Sequence, residues 1–293
     1  MINKKILDKT KLIINFFNNS KTDVFTKNSL HSILIDNRLR WNIGGNLSIN
    51  DFLFFLKQEC NLQEIVLKLP DRNINRYVFK SGISPYKIAC SIHPAGYFSH
   101  YSAMFLNGLT EQIPKSIYFN VEQPEKDSIN GCKLTQHQID EAFSRNIRTT
   151  NKVIEYNDYK IYLLSGKQTE NLGIISLEEN EVEQIQVTNI ERTLIDIAVR
   201  PNYSGGIYEV LKAYEMAHSY VSINKLSAIL EKMNFTYPYH QAIGYYLEKT
   251  GKYDKKQLNI IKRFEIKHKF YLTYNMANPK YSETWKLYYP SNF

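Results

Sequence analysis

The sequence predicts an α+β fold with at least two parts. Three helix-like segments and a hairpin fill the first 80 residues, and strand-like segments mixed with helices follow up to residue 185. Residues 186–293 are predicted to be mostly helical. A chain of 293 residues, 43% hydrophobic and 23% charged, is long enough for two or three domains with cores of their own. We therefore predict domains over residues 1–80 and 81–293, with the second divided into 81–185 and 186–293.

The first three helices are predicted from apolar periodicity and from their caps. Residues 4–18 carry apolar side chains on one broad face, and Thr26 is placed to cap a second helix. Ser48, with Asp51 three residues later, approximates a capping box for a third helix that runs to about Glu59.

A hairpin is predicted after the third helix. Residues 62–69 and 76–79 are strand-like, and a turn separates them. Three helices followed by a hairpin is the element order of a winged helix-turn-helix, in which the third helix enters the major groove and the hairpin lies against phosphates. The same order also occurs in small domains that bind no DNA.

The charge of the chain is unevenly distributed. Residues 1–85 carry 13 Lys and Arg against 7 Asp and Glu, residues 111–185 carry 8 against 13, and residues 186–293 carry 15 against 9. Two basic ends flanking an acidic middle indicate that part of the protein surface is basic enough to bind a nucleic acid. Ordinary solvated charge explains the same pattern equally well.

The winged-helix prediction selects candidate contacts with double-stranded DNA. They are polar or basic residues at the start of the second helix, on the third helix and on the hairpin. These candidates are Lys27, Asn28, Asn50, Lys57, Arg72 and Arg76.

The second part mixes strands and helices. Ser99 is expected to cap a helix that ends at Gly108, and Thr188 with Glu191 forms a capping box for a later helix. Strands are expected near residues 116–121, 152–164 and 174–175. Further helices are expected near 136–144, 206–219, 222–233 and 238–249.

No residue pattern predicts a metal, a cofactor or a catalytic group. The cysteines Cys60, Cys90 and Cys132 are widely spaced, which supports neither a zinc site nor a disulfide framework. The seven histidines lack the spacing of metal-ligand pairs. We therefore expect a protein that is not an enzyme.

Three short sequences invite a catalytic interpretation that we set aside. Ser99 and His100 are adjacent, and adjacent residues on a helix do not face each other. Arg192 and Asp196 are expected to form a stabilising i,i+4 pair. Asp158-Tyr159-Lys160 resembles half of a restriction-type nuclease site, which would need a further carboxylate to share a metal.

A dense basic run lies near the C-terminus and is a possible docking surface for a nucleic acid or an acidic partner. The polar side of an amphipathic helix would look the same. The residues we select from the run are Lys255, Lys256, Lys262 and Arg263.

Neither a membrane span nor a leader is predicted. Residues 1–11 lack the apolar stretch of a signal peptide, and the longest apolar run, residues 52–56, is far too short to cross a bilayer. We expect a cytoplasmic protein that does not bind membranes.

Several segments carry a family resemblance that extends from about residue 10 to the C-terminus. They include YFSHYSAM at residues 97–104, continuing to Lys115, ERTLID at 191–196, YPYHQAIG at 237–244 and WKLYYP at 285–290. Together they resemble the AbiEi-like antitoxins of bacterial type IV toxin–antitoxin modules.

The resemblance implies a winged-helix domain followed by a larger antitoxin domain. It implies an autorepressor that binds inverted repeats upstream of its own operon and counters an AbiEii-like nucleotidyltransferase toxin, generally without a stable complex. The alternative from another class is an enzyme, either a nuclease or one that reverses the modification made by the toxin. In that case the winged helix would only direct the enzyme to its target.

Overall fold

The computed structural model describes residues 4–124, 134–179 and 183–293. Its helices and sheets make an α+β protein, as predicted. The chain divides into two compact units, and the first consists of Met1–Ala95, Lys152–Ile161 and Glu178–Gln184. The second consists of Gly96–Asn151, Tyr162–Leu177 and Ile185–Phe293.

This division differs from the predicted boundaries at residues 80 and 185. The first unit continues to Ala95 and recruits two segments from the middle of the chain. One reason is that the hydroxyl of Tyr156 donates to the carbonyl of Ile83 at 3.1 Å. Such long-range contacts leave no periodic pattern in the sequence.

The first unit contains the predicted three helices and hairpin. The segment expected to be one helix over residues 4–18 is interrupted, and a short helix, Pro85–Cys90, follows the hairpin. The elements are α1 Lys4–Leu7, α2 Thr10–Asn18, α3 Lys27–Asn37, α4 Ile49–Glu59, β1 Gln63–Lys68, β2 Asn73–Val78 and α5 Pro85–Cys90.

Both predicted caps in the first unit are confirmed. The Thr26 side chain accepts from the backbone N–H of Ser29, whose own side chain accepts from the backbone of Thr26. The Ser48 side chain accepts from the N–H of Asp51. These bonds satisfy N–H groups that have no partner within their own helix, so α3 and α4 begin where the sequence indicates.

The hairpin is antiparallel, with Gln63 opposite Val78 and Lys68 opposite Asn73. An additional bridge joins Phe25, which lies between α2 and α3, to Tyr77 of β2. The N–H of Phe25 donates to the carbonyl of Tyr77 at 2.8 Å, and the reverse bond is 2.9 Å. The chain entering α3 is therefore tied to the hairpin.

Aromatic rings fill the core of the first unit. The rings of Phe17 and Phe79 stack with centroids 4.2 Å apart, and Phe25 meets Phe17 edge-on at 5.4 Å. Trp41 and Phe52 are fully buried and adjacent. Offset and edge-on pairs of this kind contribute beyond their buried area, and they hold the helices against the hairpin.

A six-stranded sheet has the order β5–β6–β4–β3–β8–β7. Its short strand β3 pairs antiparallel with β4 and parallel with β8, where Phe98 lies opposite Val187. The strands are β3 Tyr97–Phe98, β4 Ser116–Glu122, β5 Val153–Tyr156, β6 Tyr159–Gly166, β7 Ile174–Glu179 and β8 Glu183–Thr188.

The remaining elements are mostly helices, as predicted for residues 186–293. The chain also closes with a small sheet of order β10–β11–β9, which periodicity did not indicate because its strands have only two or three residues. The elements are α6 His100–Leu106, α7 Gln136–Ser144, α8 Ile190–Val199, α9 Ile207–Ala217, α10 Ile223–Met233, α11 Tyr239–Lys249, α12 Lys255–Ile261, β9 Phe270–Tyr271, β10 Lys280–Ser282 and β11 Leu287–Tyr289.

The cap predicted for α8 is wrong by one residue. Asn189, and not Thr188, accepts from the backbone N–H of Arg192, at 2.9 Å. The Thr188 hydroxyl instead lies 2.7 Å from the Thr193 hydroxyl. Thr188 is the last, buried residue of β8, so the cap falls to the next residue, Asn189.

Cys60 is buried, and burial raises the pKa of its thiol to about 12; Cys132 lies outside the described residues. In the part of the chain that the structure describes, every helix is too short or too polar to cross a bilayer.

Replacing Gly244 of α11 by Ala should destabilise the second unit. An added Cβ would lie 2.2 Å from the ring of Trp285, which is fully buried. We expect a loss of about 1–3 kcal/mol in the free energy of unfolding from overpacking, although Ala alone favours a helix over Gly. Urea unfolding measures the difference.

Gly44→Ala is the matched control, because nothing lies within 4 Å of a Cβ added there. It should leave stability nearly unchanged. A Gly244→Ala protein as stable as the wild type would contradict the tight packing against Trp285.

Candidate functional site

Helix α4 presents one side to solvent. Asn50, Phe54 and Lys57 are exposed at helical spacing, with Phe54 55% exposed, while Phe52 and Phe55 are buried on the other side. The core thus fixes which side of α4 is available to a partner.

Two of the predicted DNA contacts are bonded to each other. The ammonium of Lys27, in the first turn of α3, donates to the side-chain carbonyl of Asn50 at 2.8 Å. Lys57 forms an ion pair with Glu64 of β1. The exposed ends of α3 and α4 are thereby held together, and part of the positive charge is already balanced within the protein.

Asn28 and Arg72 are exposed, as their predicted role requires. Asn28 lies beside Lys27 in the first turn of α3. Arg72 lies in the turn between β1 and β2, where its carbonyl accepts from the N–H of Leu69 at 2.9 Å. Arg72 is therefore carried at the tip of the hairpin.

Arg76 is a correction to the prediction, because it is buried, with 8% exposure. Its Nε donates to the carbonyl of Ser91 at 3.0 Å and its Nη1 to the carbonyl of Asn75 at 2.8 Å. Burial lowers the pKa of the Arg76 guanidinium. Arg76 joins the hairpin to the end of α5 and is not available to a phosphate.

In the second unit, Ser99 and His100 face each other, contrary to expectation. The hydroxyl of Ser99 lies 2.8 Å from Nδ1 of His100. Adjacent residues face apart only on a helical backbone, and His100 instead has a φ of 52°, in the left-handed region that non-glycine residues rarely adopt. Ser99 is at the N-cap position of α6 without a side-chain capping bond.

The Ser99–His100 pair is buried. Ser99 is fully buried and His100 is 9% exposed. Burial lowers the pKa of His100 to about 4. A hydroxyl with no access to solvent is poorly placed to attack a substrate, so the pair is better explained as part of the packing of α6.

Arg192 and Asp196 form the predicted pair, but it is buried and not exposed. Nε of Arg192 donates to Oδ1 of Asp196 at 2.9 Å, and the two side chains are 3% and 9% exposed. Burial alone would lower the pKa of Arg192, but the charge of Asp196, the hydrogen bond to it and the nearby Tyr97 and Glu122 together outweigh burial, so the pKa is raised. Removing one partner of such a pair costs about 3–5 kcal/mol.

The Arg192 guanidinium extends this network to the sheet. Nη1 donates to the carbonyl of Leu172 at 2.8 Å and to the hydroxyl of Thr169 at 3.1 Å. The backbone N–H of Thr169 in turn donates to Glu122 at 2.8 Å. The network positions α8 against the strands.

The structure brings together two of the segments that carry the family resemblance. The amide of Asn107, just after α6, donates to the carbonyl of Thr188 at 2.9 Å and to the hydroxyl of Thr193 at 3.2 Å. Asn107 therefore links these two segments through the buried residues Thr188 and Thr193.

The basic run near the C-terminus is exposed. Lys255 and Lys256 begin α12, and Lys262 and Arg263 follow it. The ammonium of Lys262 lies 5.4 Å from the ring centroid of Trp285. Among the described residues, the side chains of Lys255, Lys256 and Arg263 form no hydrogen bond or ion pair, so the run remains a candidate docking surface.

Asp158, the carboxylate of the nuclease-like sequence, lies in the turn between β5 and β6. The neighbouring Lys160 pairs loosely with Glu155 at 4.0 Å. Within residues 4–124, 134–179 and 183–293, no three His, Cys, Asp or Glu side chains are grouped as metal ligands.

Comparison with known proteins bears on the fold. No protein-family model and no curated protein matches the chain. The crystal structure of the RV2827C protein from Mycobacterium tuberculosis is similar over 98% of this chain and 93% of that one, with a TM-score of 0.61 and 12% sequence identity. At that identity the similarity shows a shared fold alone.

The burial of His100 should make the protein less stable as the pH falls from about 6.5 to about 4. The unfolded chain binds a proton on this residue below the ordinary histidine pKa of 6.5, whereas the folded protein does so only near 4. His100→Asn cannot titrate there, and Asn tolerates a left-handed backbone. Its loss of stability between pH 7 and pH 5 should be smaller by roughly 2 kcal/mol in urea unfolding.

His137→Asn, which replaces an exposed histidine of the same unit, is the control and should follow the wild type. If His100→Asn shows the pH dependence of the wild type, His100 is not held neutral by burial.

Proposed function

We propose that this chain is a DNA-binding transcriptional autorepressor and the antitoxin of a type IV toxin–antitoxin operon. The observation that supports DNA binding most is the bridge between Phe25 and Tyr77. It places a single bridging residue between α2 and α3, so the order helix, bridge, helix, helix, hairpin resembles that of a winged helix. The family resemblance supports the remainder of the proposal.

In this proposal α4 is the recognition helix. Its exposed residues Asn50 and Phe54 would meet base edges in the major groove of double-stranded DNA, and Phe54 would provide apolar contact with a thymine methyl group. Lys27 and Asn28 would lie at the phosphates beside the groove, where a helix N-terminus also attracts anions. Arg72 would reach the backbone from the hairpin.

The operator would contain inverted repeats, so two copies of the chain would bind it symmetrically. The second unit would counter the cognate nucleotidyltransferase-like toxin in the cytoplasm, without a stable complex and without a cofactor. In this proposal the buried polar residues of the second unit serve packing. Exposed charged residues, chiefly at 255–263, would make the contacts needed for protection from the toxin.

Arg72→Ala should weaken binding to every duplex by a similar factor. A lost phosphate contact removes affinity that is independent of sequence and reduces the slope of log Kd against log salt by about one. Fluorescence anisotropy with the DNA upstream of the gene and with an unrelated duplex, over a series of salt concentrations, measures both effects.

Asn50→Ala serves as the contrasting variant, because it should reduce the preference for the upstream DNA over the unrelated duplex. Lys232→Ala, an exposed lysine of the second unit, should change neither quantity. An unchanged preference in Asn50→Ala would remove α4 from base recognition, and an unchanged salt slope in Arg72→Ala would remove the hairpin tip from the interface.

Replacing Lys255, Lys256, Lys262 and Arg263 together by Ala should abolish protection from the toxin. The four exposed cations form the densest basic run, where a nucleic acid or an acidic partner would dock. Co-expression with the cognate toxin, with growth and soluble antitoxin measured in parallel, checks the expectation.

The control removes four exposed cations of the same unit elsewhere, by replacing Lys167, Lys212, Lys232 and Lys280 with Ala. It matches the change in net charge and should retain protection. Full protection by the first variant at normal protein levels would exclude the basic run from neutralisation.

A further inference from the structure

A cleft of about 560 Å³ lies in the second unit, between α7 with the loop that follows it, the end of α8 and the aromatic residues before α11 and after β9. Its volume is within the range of small-molecule sites, about 300–1,000 Å³. The lining includes Arg145, Arg148 and Arg200. Three arginines from two separate parts of the chain thus converge on one concave surface.

The cleft has an excess of positive charge. Glu141 is the acidic residue among its lining, and it already pairs with Arg145 one helical turn away. Arg148 and Arg200 have neither a hydrogen bond nor an ion pair from their guanidinium groups to any residue whose position is described. Two guanidinium groups that line one cleft, and whose only lining carboxylate is already paired with Arg145, are suited to bind an anion from outside.

Arg200 is the more buried of the two arginines. It is half-buried at the C-cap of α8, so less of its charge is solvated than that of Arg148, which is exposed. A partly desolvated cation binds an anionic group more strongly than one in open water. Arg200 therefore marks the inner end of the cleft, and Arg148 its rim.

Two tyrosines supply flat surfaces beside the arginines. Tyr274 stacks on buried Phe143 with centroids 4.3 Å apart, and Tyr237 meets the same ring edge-on at 5.6 Å. Both tyrosines are half-buried and line the cleft. Rings held in this way lose little freedom when a base stacks on them, and base–aromatic stacking is favourable whatever the base.

We infer that this cleft binds a nucleoside phosphate. Arg148 and Arg200 bind the phosphate groups, and Tyr237 and Tyr274 contact the base. Planar guanidinium groups bind phosphate oxygens in pairs, which orients the ligand as well as attracting it. This site is separate from the DNA contacts in the first unit and does not depend on the function proposed for them.

Isothermal titration of the full chain tests the inference, with ATP, GTP, CTP and UTP as ligands and pyrophosphate as the base-free probe. Nucleoside triphosphates should bind, and pyrophosphate should bind at least tenfold more weakly because it lacks a base. Arg148→Ala should weaken nucleotide binding tenfold or more. Tyr274→Leu should weaken nucleotides but leave pyrophosphate nearly unchanged.

Arg148 is exposed, so its replacement should leave the fold intact, and thermal unfolding of each variant checks this. Lys232→Ala, which removes an exposed cation of the same unit outside the cleft, is the control and should bind as the wild type. Arg200→Ala is informative where its unfolding temperature matches that of the wild type, and should then weaken binding at least as much as Arg148→Ala.

Absence of nucleotide binding up to about 1 mM would overturn the inference. So would an Arg148→Ala protein that binds as the wild type, or equal affinity for pyrophosphate and for triphosphates. A 5′-phosphorylated single-stranded oligonucleotide that binds far more tightly than any free nucleotide, and loses that affinity in Arg148→Ala, would overturn the assignment to a free nucleotide.

Discussion

The burial of charged side chains on α8 is the constraint on which the second unit depends. Every residue from Glu191 to Ala198 is buried, and a buried charge is tolerated only where it is paired and hydrogen-bonded. Arg192 meets this requirement with Asp196 and with groups on the sheet side, and Glu191 does so with Lys225 at 3.0 Å. Helix α8 can therefore occupy only one position between the sheet and the other helices.

The first unit uses several of its cations internally, which limits what its net charge can say about partners. Arg76 joins the hairpin to α5, Lys57 is paired with Glu64, and Lys27 is bonded to Asn50. Salt-dependent affinity for DNA counts only the cations that displace counterions from phosphates. The basic surplus of residues 1–85 is accordingly larger than the charge that its surface offers.

The sequence predicted the features that depend on neighbouring residues. Thr26 and Ser48 act on backbone groups three residues away, so their caps could be identified from local pattern. The inward position of Arg76 depends on a helix that follows the hairpin, and the left-handed backbone of His100 has no signature in residue type. The cleft escaped sequence analysis because Arg148, in the loop after α7, and Arg200, at the end of α8, are far apart in sequence and only the tertiary fold brings them to one surface.

The discontinuity of the first unit has a consequence for synthesis. Ala95 ends its main part, but Lys152–Ile161 and Glu178–Gln184 also belong to it. Ribosomes add about 5–20 residues per second, so the last of these segments emerges roughly 5–20 s after the first part is complete. Strand β1 is therefore synthesised well before β5, against which it packs, and the second unit is only half made when the last segment emerges. Because the two units are interleaved along the messenger, no single cut in the gene releases either one whole.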